Sequence, residues 1–266
     1  MPTREHNNTI LLDISDGLAI LTLNRPDRLN SFTAEMFKDL KKALNKITPE
    51  QGVRCLIITG SGRAFCAGQD LNQRAETKTS TPDLSASLEK NYNPIIRKIT
   101  ELEIPVLCAV NGVAAGAGSS IALACDIVFA ARSASFIQAF CKIGLIPDAG
   151  GTWLLPHKLG RARALGLSLL GDKLPAQKAE EWGLIWKCVD DNKLLEEVVA
   201  IGKQLATQPT KGLSLIKRAI DKSFTNSLSE QLDLERDLQG IAGETKDFQE
   251  GVAAFLNKRN PTFNGN

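Results

Sequence analysis

Two glycine-containing loops and one aspartate are the residues whose types and spacing could carry chemistry in this chain. The first loop reads Gly60-Ser61-Gly62-Arg63-Ala64-Phe65-Cys66-Ala67-Gly68-Gln69-Asp70, the second Asn111-Gly112-Val113-Ala114-Ala115-Gly116-Ala117-Gly118-Ser119-Ser120. Each follows a short apolar run of strand character, and the second opens a helical pattern. Small residues let a ligand approach the main chain, and N–H groups at a helix start carry partial positive charge, so such loops can bind an anion. Taken singly neither is specific. No G-x-x-x-x-G-K-[ST] is present, and Gly116 to Ser119 lacks the third glycine of a dinucleotide fingerprint, so tight turns and close helix packing are the alternative for each. Asp148 sits among Ile146, Pro147 and Ala149, which would desolvate it and favour a raised pKa, as suits an acid/base. Its alternative is to cap a helix beginning near Gly150. Cys66 adjoins Ala67, but nothing in the sequence supplies it with a base, so a nucleophilic thiolate is not expected.

Other chemistries are disfavoured by composition. The six cysteines, at 55, 66, 108, 125, 141 and 188, show no C-x-x-C spacing and mostly lie in apolar runs, which reads as buried thiols of a reducing cytosol. His6 and His157 are the only histidines, so no zinc site is expected. With 32 basic and 30 acidic side chains the net charge is +2, too little to attract nucleic acid or an anionic membrane. The opening Met1 to Asn8 has no apolar core and reads as neither signal nor anchor. Ile104 to Cys125 is uncharged over a length that could span a bilayer, yet Pro105, Asn111-Gly112, Gly116, Gly118, Ser119 and Ser120 interrupt it. It reads as a buried strand, a turn and a buried helix. Trp153, Trp182 and Trp186 are expected in the core.

Elements must position these residues, and their order is visible. Ile10 to Ile14 and Leu18 to Leu23 flank Asp16-Gly17, a hairpin signal. From Thr33, Met36, Phe37, Leu40, Ala43, Leu44 and Ile47 recur at helical spacing, with Thr33 as N-cap and Pro49 beyond the end. Arg54 to Thr59, Val106 to Val110 and Asp126 to Ala130 are strand-like, and Asp83 or Ser85 could cap a helix reaching Glu101. Strands alternating with helices predict a mainly parallel sheet. From Lys193 the stretches 193–206, 210–223, 228–241 and 245–257 are all helical in period. The chain thus divides into an α/β core, 1–190, and a helical region, 191–266, that could cover a site or pack on a neighbouring subunit.

Four blocks in order are more specific than any one loop. Asn24-Arg25-Pro26-x-x-Leu29-Asn30, Gly62 to Asp70, Ala109-Val110-Asn111-Gly112 and Ile146-Pro147-Asp148-Ala149-Gly150-Gly151 resemble the successive signature blocks of the crotonase (enoyl-CoA hydratase/isomerase) superfamily. That resemblance implies a crotonase-like spiral of repeated ββα units followed by C-terminal helices. It implies an acyl-CoA thioester substrate, with coenzyme A as part of the substrate, and no separate cofactor or metal. The matching oxyanion donors are the N–H groups of Ala67 and Ala117, which would stabilise a thioester enolate. The two glutamates with which family hydratases activate water are matched by Ser120 and Phe140, neither of which can do that work, so hydration is disfavoured. Asp148 falls where the family's isomerases place a catalytic carboxylate. For the CoA moiety the resemblance implies contacts from Arg25, Arg28 and Leu29, and from the first loop at Ala64, Cys66, Gly68, Gln69, Asp70 and Leu71. Asp70 also reads as a cap of the helix after that loop. Gly116, Ser120 and Phe140 would meet the acyl part, and Phe255 and Lys258 would reach in from a neighbouring subunit, because the family forms trimers that often pair into hexamers. A cytoplasmic protein without nucleic-acid or membrane partners is expected.

Further stretches, among them Tyr92-Asn93-Pro94, Gly144 to Pro156, Glu181 to Trp186 and Gln231 to Asp237, resemble the isomerases of that family that serve phenylacetate degradation. Their reaction turns ring-1,2-epoxyphenylacetyl-CoA into oxepin-CoA, and they can also shift an enoyl-CoA double bond. The alternatives are a fatty-acid Δ3,Δ2-enoyl-CoA or dienoyl-CoA isomerase using the same carboxylate, and a non-catalytic acyl-CoA- or RNA-binding member. Against RNA, Lys38, Lys41, Lys42 and Lys46 alternate with Glu35 and Asp39 as on a solvated face.

Overall fold

The computed structural model describes residues 3–6, 9–48, 51–71 and 83–266, the first four as backbone alone. Strands β1 (Thr3–His6), β2 (Ile10–Ser15) and β3 (Leu18–Leu23) run antiparallel, and β2 and β3 form the expected hairpin. Asp16 and Gly17 both take positive φ, 51° and 77°, which matches the turn to the twist of its strands. β1 carried no alternation to reveal it. From β3 the sheet continues in parallel through β4 (Cys55–Gly60), then β6 (Val106–Val110), β8 (Ile127–Ala131) and β11 (Lys187–Val189), completing seven strands. β6 is buried along its whole length, as a parallel strand covered on both faces must be, which is why it reads as a continuous apolar run.

The glycine loops are part strand. β5 (Ala64–Cys66), β7 (Val113–Ala115), β9 (Ser135–Ile137) and β10 (Lys173–Pro175) form a second sheet in the order β10-β9-β7-β5. Each of β4, β6 and β8 is therefore followed by a short strand of the second sheet, the repeated ββ step of the spiral. Three-residue strands are too short to show a period of two. The uncharged segment 104–125 resolves into β6, β7 and the helix Ala117–Leu123. Among the described residues no helix is long and apolar enough to cross a membrane.

The helix Ala34–Asn45 packs Met36, Phe37, Leu40, Ala43 and Leu44 inward, and the Thr33 hydroxyl accepts from Met36 N at 3.2 Å, as its cap. Pro49 and the opening residues Met1-Pro2 and Asn7-Asn8 lie outside the described residues. Asp83 caps the next helix through Ala86 N, at 2.9 Å. This helix runs Leu84–Ser87, widens to a π turn over Leu88–Tyr92, and continues as Asn93–Glu101. After Gly151–Leu170 and Ala176–Glu181 come four helices, Leu194–Ala206, Thr210–Ser223, Leu228–Gly243 and Lys246–Leu256, close to the bounds their periodicity predicts. Trp153 and Trp186 depart from expectation, at 48% and 70% exposure rather than in the core. Trp153 stacks on His157, with ring centroids 4.0 Å apart, and Phe224 meets both edge-on.

The first signature block has a structural job. Leu29 and Asn30 both take positive φ, 49° and 56°, a conformation that costs energy for residues with a Cβ. Asn30, fully buried, is held there by its carboxamide: Oδ1 accepts from Arg25 N at 2.8 Å, and Nδ2 donates to the carbonyls of Ser61, Ala64 and Phe65 at 2.8–3.1 Å. Asn30→Ala would leave those buried groups unsatisfied, and we expect a loss of about 3 kcal/mol of unfolding free energy, checked by urea titration.

Candidate functional site

A cavity of about 490 Å³ opens where the two loops meet the segment Ala139–Ala149 and the π turn. Its volume is in the range of a small-molecule site. The floor is main chain. Glycines let the two loops touch backbone to backbone: a β-carbon at Gly68 would stand 2.9 Å from the Ala115 carbonyl oxygen and 3.7 Å from Ala117 N, and one at Gly118 only 2.4 Å from the Cys66 oxygen. Gly68 also has φ +88°, so Gly68→Ala adds strain to a clash, and we expect both a lower melting temperature and weaker turnover.

Of the two donors expected in these loops, one is contradicted by its hydrogen bonding. Ala117 is the first residue of the helix Ala117–Leu123, where an N–H has no partner within its own helix, and it lines the cavity. Ala67 is overturned as a donor. Its N–H is committed to the Leu29 carbonyl at 2.9 Å, so it cannot serve an oxygen in the cavity. Two residues on, the main chain is held differently. Phe32 N donates to the Gly68 carbonyl at 2.7 Å and Asp70 N donates to the Phe32 carbonyl at 3.0 Å. Because a trans peptide points its C=O and N–H in opposite directions, the Gln69 N–H turns away from Phe32. Gln69 lines the cavity beside Ala117. Spacing could not distinguish Ala67 from Gln69; the main-chain bonds to Leu29 and to Phe32 do.

Asp148 lines the same cavity, and its Oδ1 is shut off from solvent. It does not act as a cap. The helix Gly151–Leu170 has Gly150 as its N-cap and no side-chain capping bond; what Asp148 gives it is its main-chain carbonyl, which accepts from Gly151 N at 2.9 Å. Ala149 and Gly150 both take positive φ, 49° and 84°, a sharp turn that frees the carboxylate from the helix. Ser120, expected as a substrate contact, is corrected: it is fully buried, does not line the cavity, and donates its hydroxyl to the Asp148 carbonyl at 2.9 Å. It anchors the aspartate's loop. Phe140 lines the cavity as expected, close to Gly116.

Most of the remaining wall is apolar, with Leu71, Leu84, Leu88, Ile143, Leu145 and Ile146, and Ser87 and Asn93 add polar groups. Among the described residues Lys142 is the other charged residue of the lining, and it was not singled out by sequence. Tyr92 and the π turn were likewise unforeseen as site elements. The other CoA-contact candidates stand apart from the cavity. Arg25 pairs with Asp70, Nη2 to Oδ2 3.0 Å, and donates to the Ser31 carbonyl, tying the first block to the first loop. The helix that Asp70 was expected to cap lies outside the described residues. Arg28 is exposed, the Ala64 carbonyl takes bonds from Asn30 and Asn111, and Leu29 holds Ala67. Phe255, 82% exposed, and Lys258 do not line the cavity of their own chain.

Cys66 is buried, and its burial pushes the thiol up to about 12, only partly offset by the Gly68 N–H and by Arg25. A thiol with so high a pKa is protonated at neutral pH and is a poor nucleophile. In native protein at pH 8 a thiol alkylator should leave Cys66 unmodified while reacting with the partly exposed Cys141 and Cys188, as read by peptide mass mapping. Rapid labelling of Cys66 would contradict this.

Comparison with known proteins agrees with the geometry. Residues 13–266 match the family model described as enoyl-CoA hydratase/isomerase. The chain is 56% identical over 257 residues to the 1,2-epoxyphenylacetyl-CoA isomerase of Escherichia coli K12, covering 96% of this chain and 98% of that one. It is 35% identical to the trans-2-decenoyl-[acyl-carrier-protein] isomerase of Streptococcus mutans, covering 96% and 98%. The crystal structure of an enoyl-CoA hydratase from Bacillus anthracis superposes with a TM-score of 0.91 at 33% identity, covering 97% of this chain and all of that one.

Proposed function

The chain belongs to the enoyl-CoA hydratase/isomerase family, and on that premise we propose that it is an acyl-CoA isomerase that converts ring-1,2-epoxyphenylacetyl-CoA into oxepin-CoA. The observation that carries the chemistry is that Gln69, the helix-start residue Ala117 and Asp148, the one carboxylate among the described lining residues, line the same cavity. In the proposed reaction the Gln69 and Ala117 N–H groups hold the thioester oxygen. Asp148 takes the proton from the carbon between thioester and ring, and the charge passes to that oxygen as an enolate. The carbon–carbon bond shared by the epoxide opens to the seven-membered ring, and the proton returns at the ring carbon γ to the thioester. Atoms balance, and nothing is oxidised. The same movement of one proton from α to γ shifts the double bond of a 3-enoyl thioester.

One oxyanion donor contributes about 2.7–4 kcal/mol and a positioned acid/base about 10²–10⁴ in rate, which together reach the lower part of the enzymatic range without a redox cofactor. Water addition is disfavoured because Phe140 and Ser120 stand where hydratase glutamates would, one unable to titrate and the other turned to the Asp148 carbonyl. Arg25, Arg28, Leu29, Ala64, Cys66, Gly68, Asp70 and Leu71 are proposed along the CoA path, with Phe255 and Lys258 supplied by a neighbouring subunit of a trimer or hexamer. Exposed Ile220, Phe224, Leu232, Phe248 and Leu256 on and beside the C-terminal helices support such an assembly, and the cytoplasm is proposed as its compartment.

Incubation with the ring-epoxide and the 3-enoyl thioesters in deuterated water tests this reading by mass and ultraviolet spectra. The expected result is turnover of the epoxide with neither water added nor atoms lost. A product heavier by one water would make the protein a hydratase. Turnover of the 3-enoyl thioester alone would make it a fatty-acid isomerase.

A further inference from the structure

Gln69 is held at three points, two of them through its main-chain neighbours by the segment at Phe32. The Phe32 main chain holds the residues on either side, Gly68 and Asp70, through the bonds described above. The third hold comes from the opposite wall: the Tyr92 hydroxyl donates to Gln69 Oε1 at 2.9 Å. Tyr92 closes the π turn Leu88–Tyr92 and is only 2% exposed although it reaches the cavity. Its ring lies edge-on to Phe37, 4.5 Å between centroids, and to Phe32, 6.0 Å. The ring therefore has one place to sit, set by the same Phe32 whose main chain braces Gln69. Widened turns of this kind inside helices are frequent at functional sites. Here the turn delivers a phenol to the side chain of a residue that lines the cavity and whose N–H is turned away from Phe32.

We propose that Tyr92 is a positioning residue: by fixing the tip of the Gln69 side chain it holds the 68–69 peptide plane, and so the direction of the Gln69 N–H. This rests on the reading that Gln69 N–H polarises a thioester oxygen. A donor acts on developing charge only when it is aimed in advance, and misplacement by about 1 Å can cost about 10²-fold in rate. A side chain anchored at both ends cannot swing its peptide. Neither the hydroxyl nor the ring touches the reacting atoms.

The test is Tyr92→Phe, which keeps the ring packing and removes only the hydroxyl. Phenylacetyl-CoA labelled with ¹³C at the thioester carbonyl is bound to wild type and variant, and the carbonyl stretch is read by infrared difference spectroscopy. In wild type the band should move to lower frequency on binding. In the variant the affinity should stay within about two-fold, the downshift should shrink, and kcat for isomerisation should fall about 10-fold with KM nearly unchanged. The double variant should lose no more than Gln69→Ala alone, because both substitutions remove the contact the two side chains share. A merely structural tyrosine would lower the melting temperature and leave the carbonyl band of the bound thioester where wild type puts it; that result overturns the proposal, as does a wild-type band that does not move. A wild-type band that shifts, in a protein that turns over no epoxide or enoyl thioester, would sink the isomerase reading and leave the role of Tyr92 standing on the variant's band.

Discussion

Asp148→Asn should lower kcat for the isomerisation by about 10²–10⁴, the contribution of a positioned acid/base, with KM little changed. Asparagine has the shape of aspartate and cannot accept the α proton. The substitution leaves the main chain untouched: the Asp148 carbonyl keeps its bonds from Ser120 Oγ and Gly151 N. The helix that follows is capped at Gly150 without any side chain, so its stability should not change. Loss of rate with retained melting temperature and retained thioester binding is therefore the signature. Full activity in the variant would remove Asp148 from the chemistry, and a fall in melting temperature as large as the fall in rate would return it to a structural role.

Ala117→Pro should be nearly as damaging, for a reason that involves no side-chain chemistry. Proline is accepted at the first position of a helix, where φ already suits it and the N–H has no helical partner to lose. The restriction proline places on the residue before it falls here on Gly116, which has no Cβ. What the substitution does remove is one donor to the thioester oxygen, worth about 10²–10³ in kcat. The proline ring also projects where that N–H pointed, so binding of the acyl part should weaken as well. Ala117→Gly is the control, because it keeps the N–H, and it should retain most of the activity. Equal rates for the proline and glycine variants would show that the Ala117 N–H plays no part.

Much of this was legible in the sequence, and what was not has physical causes. The hairpin at Asp16-Gly17, the Thr33 cap and the four C-terminal helices are local features, set by turn chemistry and by a period of 3.6 over many residues. Asp148 stood out because the block around it resembles that of the family's isomerases, and its apolar neighbours added to that. The second sheet was hidden because Ala64–Cys66, Val113–Ala115 and Ser135–Ile137 are each one pleat long. The hydrogen bonding of the first loop was hidden too: the Ala67 N–H is taken by the Leu29 carbonyl while Gly68 and Asp70 bond to Phe32, and both partners lie more than thirty residues away. Ser120 looked like a vacant catalytic position and proved to be the hook on the Asp148 carbonyl. Tyr92 and Lys142 reach the cavity only through the π turn and the short helical turn Ala139–Ile143, which no periodicity announces. Distant pairing, rather than composition, settles a site made mostly of main chain.

The central claim is that two backbone amides hold the thioester oxygen while one aspartate faces the carbon beside it. A crystal structure of the protein with phenylacetyl-CoA, which offers the thioester but no epoxide to react, measures this directly. The thioester oxygen should lie about 2.7–3.1 Å from both Gln69 N and Ala117 N, with an Asp148 carboxylate oxygen in contact with the α carbon. An oxygen bound elsewhere, or Asp148 turned from the α carbon toward solvent, would contradict the account.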